Sequence, residues 1–396
     1  MIKVVLKKGE GRTISSGGLW VFDNEIDYID GTYTNGEIVE VLSFKDDYIG
    51  YGYINDNSKI RIRILSRNKQ DIIDKAFFKN RIEKALQYRI DVLDDISSCR
   101  IVFSDSDLLP GLIIDKFEDI LVFEIDTLGI DVRKQTLVES CLEVFNEKDI
   151  EIKGIYERSD ARVRELEGLE RINACLYGEF DTDIMIDENG VKMLVDIASG
   201  QKTGHFLDQK ENHFAIRNIC KNKKVLDCCT HTGGFALSAA KVASKVIGID
   251  YSQLAINQAI KNSELNNFDN TEFIVSDVFD YLINAQKNKE IFDVIILDPP
   301  AFTKSKNSVK NATKGYKDIN LRAMTLIKDG GYLVTCSCSE YIDRDLFLQI
   351  IHSASKDAHK RLKLVESRSQ NKDHPIMLGN NISSYLKCFI FQVNDR

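Results

Sequence analysis

The hydrophobic residues near the start of the chain alternate with polar residues in short runs. These runs cover Ile38–Leu42, Tyr48–Tyr53 and Lys59–Ile64, and turns such as Asn35-Gly36 separate them. Short strands with frequent turn signals are typical of a small β-barrel or sandwich. We therefore predict a compact β domain over residues 1–68.

The hydrophobic spacing then changes to that of a helix. One apolar helical face is formed by Phe78, Ile82, Ala85, Leu86 and Leu93. The apolar runs Leu112–Asp115 and Ile120–Ile125 predict a β-hairpin, and a second helix is expected over Val132–Phe145. This mixture predicts a central α+β domain over residues 69–182.

The last part of the chain, residues 183–396, starts with a hairpin predicted over Asp183–Asp196 and continues as alternating strands and helices. Four apolar strand runs each lead to an acid, namely Asp227, Asp250, Asp277 and Asp298. The carboxyl ends of parallel strands meet at one edge of a sheet, where α/β proteins bind their ligands. We predict an α/β domain whose pocket is lined by these four carboxylates.

The turn after Asp227 narrows the choice of ligand. It reads THTGG, Thr230–Gly234, and leads into a helix of small residues from about Phe235. Glycines admit a close ligand, and the start of a helix offers unpaired N–H groups. The G-x-G-x-x-G spacing of a dinucleotide site is absent, which counts against a nicotinamide oxidoreductase. An acid before the turn suits an ammonium group better than a phosphate.

The next two acids extend this interpretation. Asp250 follows about twenty residues later, the offset at which a carboxylate meets ribose hydroxyls. Asp277 is placed where it could reach an adenine amino group. Four such strands in order resemble the class I S-adenosylmethionine-dependent methyltransferase fold.

Composition restricts the class of protein. Of the 396 residues 43% are hydrophobic and 29% charged, which is typical of a soluble globular protein. No apolar run is long enough to span a membrane, and no signal peptide is evident. Nine irregularly spaced cysteines without a C-x-x-C pair predict reduced thiols and no metal site. We expect a cytoplasmic protein.

The charge of the chain gives two opposite indications about whether nucleic acid is a partner. The net charge of −8 counts mildly against such a partner. The segment Thr303–Asn320, however, has one acid and five lysines, which are Lys304, Lys306, Lys310, Lys314 and Lys317. Its Ser, Asn and Gly residues predict a mobile loop, and a basic loop beside the pocket suits RNA. An alternative interpretation is that the lysine-rich loop only aids solubility.

The sequence also leaves two interpretations of Arg158 and Arg164. They could contact RNA, or they could pair with Glu157 and Glu165.

Two cysteines follow the predicted fifth strand, Tyr332–Thr335, at the same sheet edge as Asp298. A thiolate there could act as a nucleophile. C5 of cytosine is a poor nucleophile until a group adds at C6, and an acid near N3, such as Asp298, would favour that addition. Cys338 is the first candidate and Cys336, deeper in the strand, the second. Cysteine is also common in strands as a small hydrophobe, so a packing role stays open.

Motifs along the whole chain resemble the PUA-containing bacterial 23S ribosomal RNA 5-methylcytosine methyltransferases. They are GLWVF, LLPGLIIDKF, IYERSD with VRELEG, GQKTGHFLDQ, THTGGF, LDPPAF, GYKDIN, SCS and DHPI. The resemblance implies an N-terminal PUA-like β-barrel, a central α+β module and a C-terminal Rossmann-like methyltransferase domain with a seven-stranded sheet. The last two strands, Leu362–Val365 and Tyr385–Val393, would close that sheet, with one strand antiparallel.

The resemblance also implies ligands and residue roles. S-adenosylmethionine would be the cofactor and 23S ribosomal RNA the substrate, with no metal. Cofactor-binding residues would be Gln201, Phe206, Asp208, Asp227, Thr230, Thr232, Gly233, Gly234, Phe235, Asp250, Tyr251, Asp277, Val278 and Asp298. RNA-binding residues would be Lys7, Lys8, Arg12, Lys304, Lys306, Lys310 and Lys314, and Trp20 would be a packing anchor. Cys338, in the S-C-S motif, would be the nucleophile, with Asp298 beside the base.

Several alternatives stay open from the sequence. Many relatives have a second cysteine where this chain has Ala301, so the base that removes the C5 proton is unidentified. A guanine N-methyltransferase would share the cofactor site and use Cys338 only for packing. A non-catalytic RNA-binding module is a further alternative, but four intact acids count against it. A homodimer through the middle domain is also open.

Overall fold

The computed structural model describes residues 1–303, 305–379 and 383–396. The chain folds into two compact units. The first unit comprises Met1–Ile186, Val195–Leu207 and Lys372–Ser383, and the second comprises Asp187–Leu194, Asp208–Asn371 and Ser384–Arg396. The segments predicted as PUA-like and central domains both fall in the first unit.

The start of the first unit is a six-stranded sheet. Its elements are β1 (Lys3–Leu6), α1 (Arg12–Ser15), β2 (Trp20–Phe22), β3 (Ile26–Asp30), β4 (Ile38–Leu42), β5 (Tyr48–Ile54) and β6 (Ile60–Ser66). The strand order is β2-β6-β5-β4-β1-β3. The three strands predicted from the alternating pattern are confirmed as β4, β5 and β6. Trp20 packs against the edge of the core with its ring edge-on to Phe22.

The rest of the first unit is a five-stranded sheet with helices. Its elements are α2 (Lys75–Val92), β7 (Ser98–Phe103), β8 (Leu112–Phe117), β9 (Ile120–Ile125), α3 (Leu128–Asp131), α4 (Lys134–Glu147), β10 (Gly154–Ser159), α5 (Val163–Leu166) and β11 (Ile172–Tyr177). The strand order is β11-β10-β9-β8-β7. The Asp74 side chain caps α2 by accepting from Phe77 N, and the predicted apolar face of this helix lies in the core. The predicted hairpin is confirmed as β8 and β9.

Tyr53 joins the two sheets of this unit into one packed body. Its side chain, from β5, is fully buried in the core beneath the second sheet. The hydroxyl donates to the Pro110 carbonyl at 2.6 Å and lies 2.9 Å from Thr127 Oγ1. Gly129 is required beside the ring, because a Cβ there would lie 2.0 Å from Tyr53 Cδ2.

The second unit is a three-layer α/β structure. It is preceded in the chain by the hairpin β12 (Asp183–Glu188) and β13 (Val191–Asp196), whose residues are divided between the two units. Its elements are α6 (Lys210–Ala215), α7 (Arg217–Cys220), β14 (Lys224–Cys228), α8 (Gly234–Ala240), β15 (Lys245–Asp250), α9 (Gln253–Leu265), β16 (Thr271–Val275), α10 (Val278–Lys287), β17 (Phe292–Leu297), α11 (Val309–Leu326), β18 (Ile327–Ser337), α12 (Arg344–Asp357), β19 (Lys360–Arg368) and β20 (Lys387–Asp395). The strand order is β16-β15-β14-β17-β18-β20-β19. Separate apolar cores cover the two faces. The predicted seven-stranded sheet is confirmed, and β20 is its antiparallel strand.

The prediction of a mobile basic loop over Thr303–Asn320 is wrong. A short 3-10 helix, Lys306–Ser308, leads directly into α11. Ala312, Tyr316 and Ile319 recur at helical spacing and are buried, while the lysines occupy the other faces of the same helix. The many polar residues made the amphipathic spacing of this helix hard to recognise in the sequence. Packing of its apolar face against the sheet stabilises the helix.

Arg158 and Arg164 are bound within the first unit. Arg158 donates to Asp160 and to the carbonyl groups of Ile197 and Gly200. Arg164 is fully buried and bonds backbone carbonyls and Asp131. Of the two interpretations left open by the sequence, pairing with Glu157 and Glu165 is not seen, because both arginines bind other partners, and the buried Arg164 is a structural residue.

Within the described ranges, no helix is both long enough and apolar enough to cross a membrane.

Replacing Tyr53 with Phe should destabilise the protein by about 1–2 kcal/mol, because the change removes a buried donor and leaves the Pro110 carbonyl without it. Thermal and urea unfolding of the full-length chain would measure this. Tyr28→Phe is the matched control, since Tyr28 is 52% exposed and should change stability by less than about 0.5 kcal/mol. Equal stability of the two variants would contradict the role of Tyr53.

Candidate functional site

Three of the predicted acids lie on adjacent strands at one edge of the sheet in the second unit. Asp227 is in β14, which pairs with β15 on one side and with β17 on the other. Asp250 ends β15, and Asp298 directly follows β17. Because all three strands are parallel, their carboxyl ends are neighbours, as the sequence predicted.

The loop after β14 has an unusual backbone. Cys229, His231 and Gly233 all have positive φ, at 63°, 50° and 97°. Non-glycine residues rarely adopt this conformation, and such strain is concentrated at ligand sites. The loop is fixed by hydrogen bonds from Thr230 N to the Ile249 carbonyl and from Asn262 to the Thr232 carbonyl. The predicted residues Thr230, Thr232 and Gly233 thus lie in this loop, and Gly234 and Phe235 are the first two residues of α8.

Asp227 is buried below this loop, with only 1% of its surface exposed. One carboxylate oxygen, Oδ2, accepts from the Thr230 hydroxyl at 2.6 Å. The other, Oδ1, is buried and has no hydrogen-bond partner among the described residues. Burial raises the pKa of Asp227 to about 7, and the nearby Asp298 adds to the effect while Thr230 opposes it. A buried carboxylate with an unmatched oxygen needs a donor from outside the protein.

The next two acids are bound to backbone N–H groups. Asp250 is buried and accepts from His231 N and Ser252 N. Tyr251, which follows it, is 73% exposed and presents a ring to solvent. Asp277 caps α10 by accepting from the N–H groups of Phe279 and Asp280, and Val278 is buried in the first turn. The side chain of Asp277 thus has a structural role that the sequence interpretation missed.

His213 forms the wall behind the glycine turn. Its Nδ1 lies 2.6 Å from Glu188 Oε1, and its ring is edge-on to Phe235 at 4.5 Å. A Cβ at position 234 would lie 2.5 Å from His213 Cε1, so only glycine fits there. Burial alone would lower the pKa of His213, but the charge of Glu188 outweighs it and raises the pKa above the usual value. Neither His213 nor Glu188 was predicted from the sequence, and the one signal for Glu188 was its place before the Asn189-Gly190 turn.

Asp298 is oriented by a side-chain relay. Gln209 Nε2 donates to Asp298 Oδ2 at 2.9 Å, and Asn212 donates to Gln209 Oε1 at 2.7 Å. Gln209 and Asn212 are buried, so the relay is shielded from water. The predicted cofactor ligand Asp208, next to Gln209, accepts from the Tyr385 hydroxyl at 2.6 Å. Gln209 was not predicted, although it lies within the GQKTGHFLDQ motif.

The segment Ser337-Cys338-Ser339 is clamped at the end of β18. The Tyr316 hydroxyl accepts from Ser337 Oγ at 3.0 Å and lies 2.9 Å from Ser339 Oγ. Lys387 donates to the Ser339 carbonyl at 2.7 Å. Cys338 between the serines is half-buried.

Cys336 lies in a different environment from Cys338. It is fully buried and faces Cys388 on the adjacent strand. Burial, together with Cys388, raises the pKa of the Cys336 thiol well above its usual value. This thiol therefore stays protonated in the core.

The other predicted residues are spread over both units. Gln201 and Phe206 belong to the first unit, where Lys202 Nζ lies 4.4 Å from the Phe206 ring centroid. Lys7, Lys8 and Arg12 are exposed on the first sheet and α1, and Lys7 donates to the Asn24 carbonyl. Lys306, Lys310 and Lys314 are exposed at the start of α11. Lys304 lies outside the described residues.

No group of three or more His, Cys, Asp or Glu side chains that could hold a metal ion occurs in the described part of the chain.

Comparison with known proteins agrees with the architecture. A model of the PUA-like domain matches residues 4–67, and a model of a methyltransferase domain matches residues 219–381. A putative SAM-dependent methyltransferase from Streptococcus mutans has the same fold, with a TM-score of 0.82 at 22% identity over 99% of this chain and 100% of that one. Another solved structure, a putative methyltransferase complexed with SAH, has a TM-score of 0.84 at 22% identity over the same shares of the two chains.

Closer relatives in sequence share one name. "Ribosomal RNA large subunit methyltransferase I" from Aliivibrio fischeri is 39% identical over 399 residues, covering 99% of both chains. The protein of the same name from Vibrio cholerae is 40% identical over 398 residues, covering 98% of this chain and 99% of its own. With this identity over almost its whole length, the chain belongs to the ribosomal RNA large subunit methyltransferase I family.

Proposed function

We propose that this protein uses S-adenosylmethionine to form 5-methylcytosine in 23S ribosomal RNA, through a covalent adduct between Cys338 and C6 of the base. Membership of the family supports a methyltransferase that acts on large-subunit ribosomal RNA in the cytoplasm. The choice of cytosine C5 rests on one observation above all. A half-buried thiol, Cys338, is held at the same sheet edge as Asp298 and the glycine loop.

The residues at the glycine loop fit S-adenosylmethionine. The unmatched Oδ1 of Asp227 can accept from the ammonium of the methionine part. Asp250 is placed for the ribose hydroxyls and the exposed Tyr251 ring for the adenine face. When bound, the cofactor supplies an electrophilic methyl group.

Cys338 differs from the other cysteines of the second unit. Burial raises the thiol pKa of Cys228 and Cys336 well above the usual value, and it also raises that of Cys229. Thiolate is the nucleophilic form, so these residues are poor nucleophiles. Cys338 is half-buried, whereas Cys228 and Cys336 are fully buried, and it follows the last residue of β18.

The protein's own side chains then activate the cytosine ring. The Cys338 thiolate forms a bond to C6, and the electron pair of the C5–C6 double bond moves towards N3, where Asp298 donates a proton. C5 is then enamine-like and accepts the methyl group. A base removes the C5 proton, the S–C6 bond breaks, and the double bond returns as N3 loses its proton. Gln209, which bonds Oδ2 of Asp298, keeps the carboxyl oriented for this exchange.

RNA would contact exposed basic residues in each unit. Lys306, Lys310 and Lys314 line the start of α11, which follows the segment after Asp298. In the PUA-like domain, Lys8 is exposed in the turn after β1 and Arg12 at the start of α1. Lysines of this kind contact phosphates, so they set affinity and register and do not read bases.

Incubating the full-length protein and S-adenosylmethionine with RNA that contains 5-fluorocytidine should trap a protein–RNA adduct, because fluorine at C5 cannot leave as a proton. Mass spectrometry should map the adduct to Cys338. Cys338→Ala should lose both the adduct and methylation of ordinary RNA, while Cys175→Ala, which removes an exposed thiol of the first unit, should keep both. Methylation without any adduct would favour a guanine N-methyltransferase instead.

Affinity for S-adenosylmethionine should fall by about tenfold from pH 8 to pH 6, because Asp227 with a pKa of about 7 loses its charge over this range. Isothermal titration calorimetry of the full-length protein would measure it. An affinity that does not change with pH would contradict an Asp227–ammonium contact.

Asp227→Asn should abolish the cofactor-dependent rise in Tm and yet stabilise the ligand-free protein at pH 8. The pKa of Asp227 is higher in the folded protein than in the unfolded one. Ionisation of this buried group therefore lowers the free energy of unfolding as the pH rises towards 7, whereas Asn is neutral at every pH. We expect a gain of at least about 1 kcal/mol from this effect. Asp269→Asn, at an exposed position, is the control and should change neither property.

A further inference from the structure

Lys387 is an unusual residue for its position. It begins β20 in a run that is otherwise largely apolar, KCFIFQV, and pairs with Ser337 at the end of β18. Only 8% of its surface is exposed. Its ammonium donates to the Ser339 carbonyl at 2.7 Å and to the Tyr385 carbonyl at 2.8 Å. The charge therefore lies directly beside the segment that holds Cys338.

The same segment is also fixed by Tyr316. Its hydroxyl bonds the side chains of both Ser337 and Ser339. Its ring packs on Phe302 at 4.5 Å and on Phe347 at 5.3 Å, so it has little freedom to move. Tyr316 thus binds the serine side chains on both sides of Cys338, and Lys387 binds the carbonyl of the serine that follows it.

The ammonium of Lys387 lacks a carboxylate partner. Among the described residues, none has a carboxylate oxygen within 4.0 Å of its Nζ. Asp343, at the start of α12, is the acid whose charge acts on Lys387, but its Oδ1 caps that helix by accepting from Leu346 N. A buried cation with only neutral acceptors is costly, and it stabilises any anion that forms beside it.

We infer that Lys387 is a positioning residue that stabilises the thiolate of Cys338 and fixes its backbone. The ammonium carries three N–H donors, of which two are used by the carbonyls of Ser339 and Tyr385. Its positive charge favours the ionised sulfur over the neutral thiol, which increases the nucleophilic fraction near neutral pH. The catalytic consequence rests on the function proposed above, whereas the charge pairing concerns only this chain.

The surrounding titratable groups agree with a cation at neutral pH. Burial lowers the pKa of Lys387 to about 8, although Cys338 and Asp343 oppose this change. The group thus stays largely charged at pH 7 and loses its charge above about pH 8. Burial raises the pKa of Tyr316, so it remains neutral in this range. Arg368 lies on β19 opposite Cys388, and its guanidinium donates hydrogen bonds to Glu366 and Asn212.

The test is the pH dependence of alkylation at Cys338 by iodoacetamide in the ligand-free, full-length protein, followed by mass spectrometry. Lys387→Gln keeps a donor for a carbonyl but removes the charge, and Lys387→Arg keeps the charge. We expect Lys387→Gln to raise the pH midpoint of alkylation by about one unit, with about tenfold slower alkylation at pH 7, and Lys387→Arg to keep the midpoint low.

Lys360→Met is the matched control. Lys360 also lies on a strand of this sheet and donates to a backbone carbonyl, that of Ile327, far along the strand from Cys338. An unchanged midpoint in a folded Lys387→Gln protein would overturn the inference. So would an equal shift in Lys360→Met, or an Arg variant that behaves like the Gln variant.

Methylation assays separate this inference from the proposed function. With Cys338 as the nucleophile, Lys387→Gln should methylate RNA about tenfold more slowly at pH 7 and recover as the pH rises. If Cys338→Ala remains active while the alkylation midpoint depends on Lys387, the proposed function fails and the charge pairing stands. If Cys338→Ala is inactive but the midpoint does not move in Lys387→Gln, the function stands and the inference fails.

Discussion

The carboxyl edge of the seven-stranded sheet gathers acids where little water can reach them. Asp227 lies in the central strand β14, between the strands that end at Asp250 and Asp298, and its Oδ1 has no partner among the described residues. Burial of ionisable groups is costly unless hydrogen bonds or opposite charges compensate. The Thr230 hydroxyl, the backbone N–H groups that bind Asp250, and Gln209 on Asp298 provide part of this compensation. A ligand with a donor group would supply the remainder.

Two basic side chains lie at this edge of the sheet, where positive charge offsets the cost of burying carboxylates. His213 carries a raised pKa because Glu188 stabilises its protonated form, and it forms the back of the glycine turn. Lys387 brings an ammonium to the end of β18. A histidine with a raised pKa thus lies behind the glycine turn, and an ammonium lies beside the segment that holds Cys338.

The first unit depends on a different principle, which is close packing between two sheets. Tyr53 reaches from the PUA-like sheet into the core of the central module, where Gly129 leaves space for its ring. Asn55 and Arg63 from the same sheet both bond Glu167. These buried polar contacts join the two sheets as one body, so the basic residues near α1 are carried on a rigid support.

The sequence by itself determined many of the strands and the order of the acids at their ends. Alternation identified β4, β5 and β6, helical spacing identified the apolar face of α2, and apolar runs together with the family resemblance identified the strands of the seven-stranded sheet, because these patterns reflect burial on one or two faces. The acids at strand ends could be grouped from sequence, because parallel strands place equivalent ends together. Only the tertiary structure decided which polar side chains are paired. It turned the lysine-rich segment into α11, used Asp277 as a helix cap, buried Arg164, and brought Glu188 to His213 and Lys387 to Ser339. The contacts of Glu188 with His213 and of Lys387 with Ser339 join residues far apart along the chain, and no local sequence pattern predicts which distant side chains will meet.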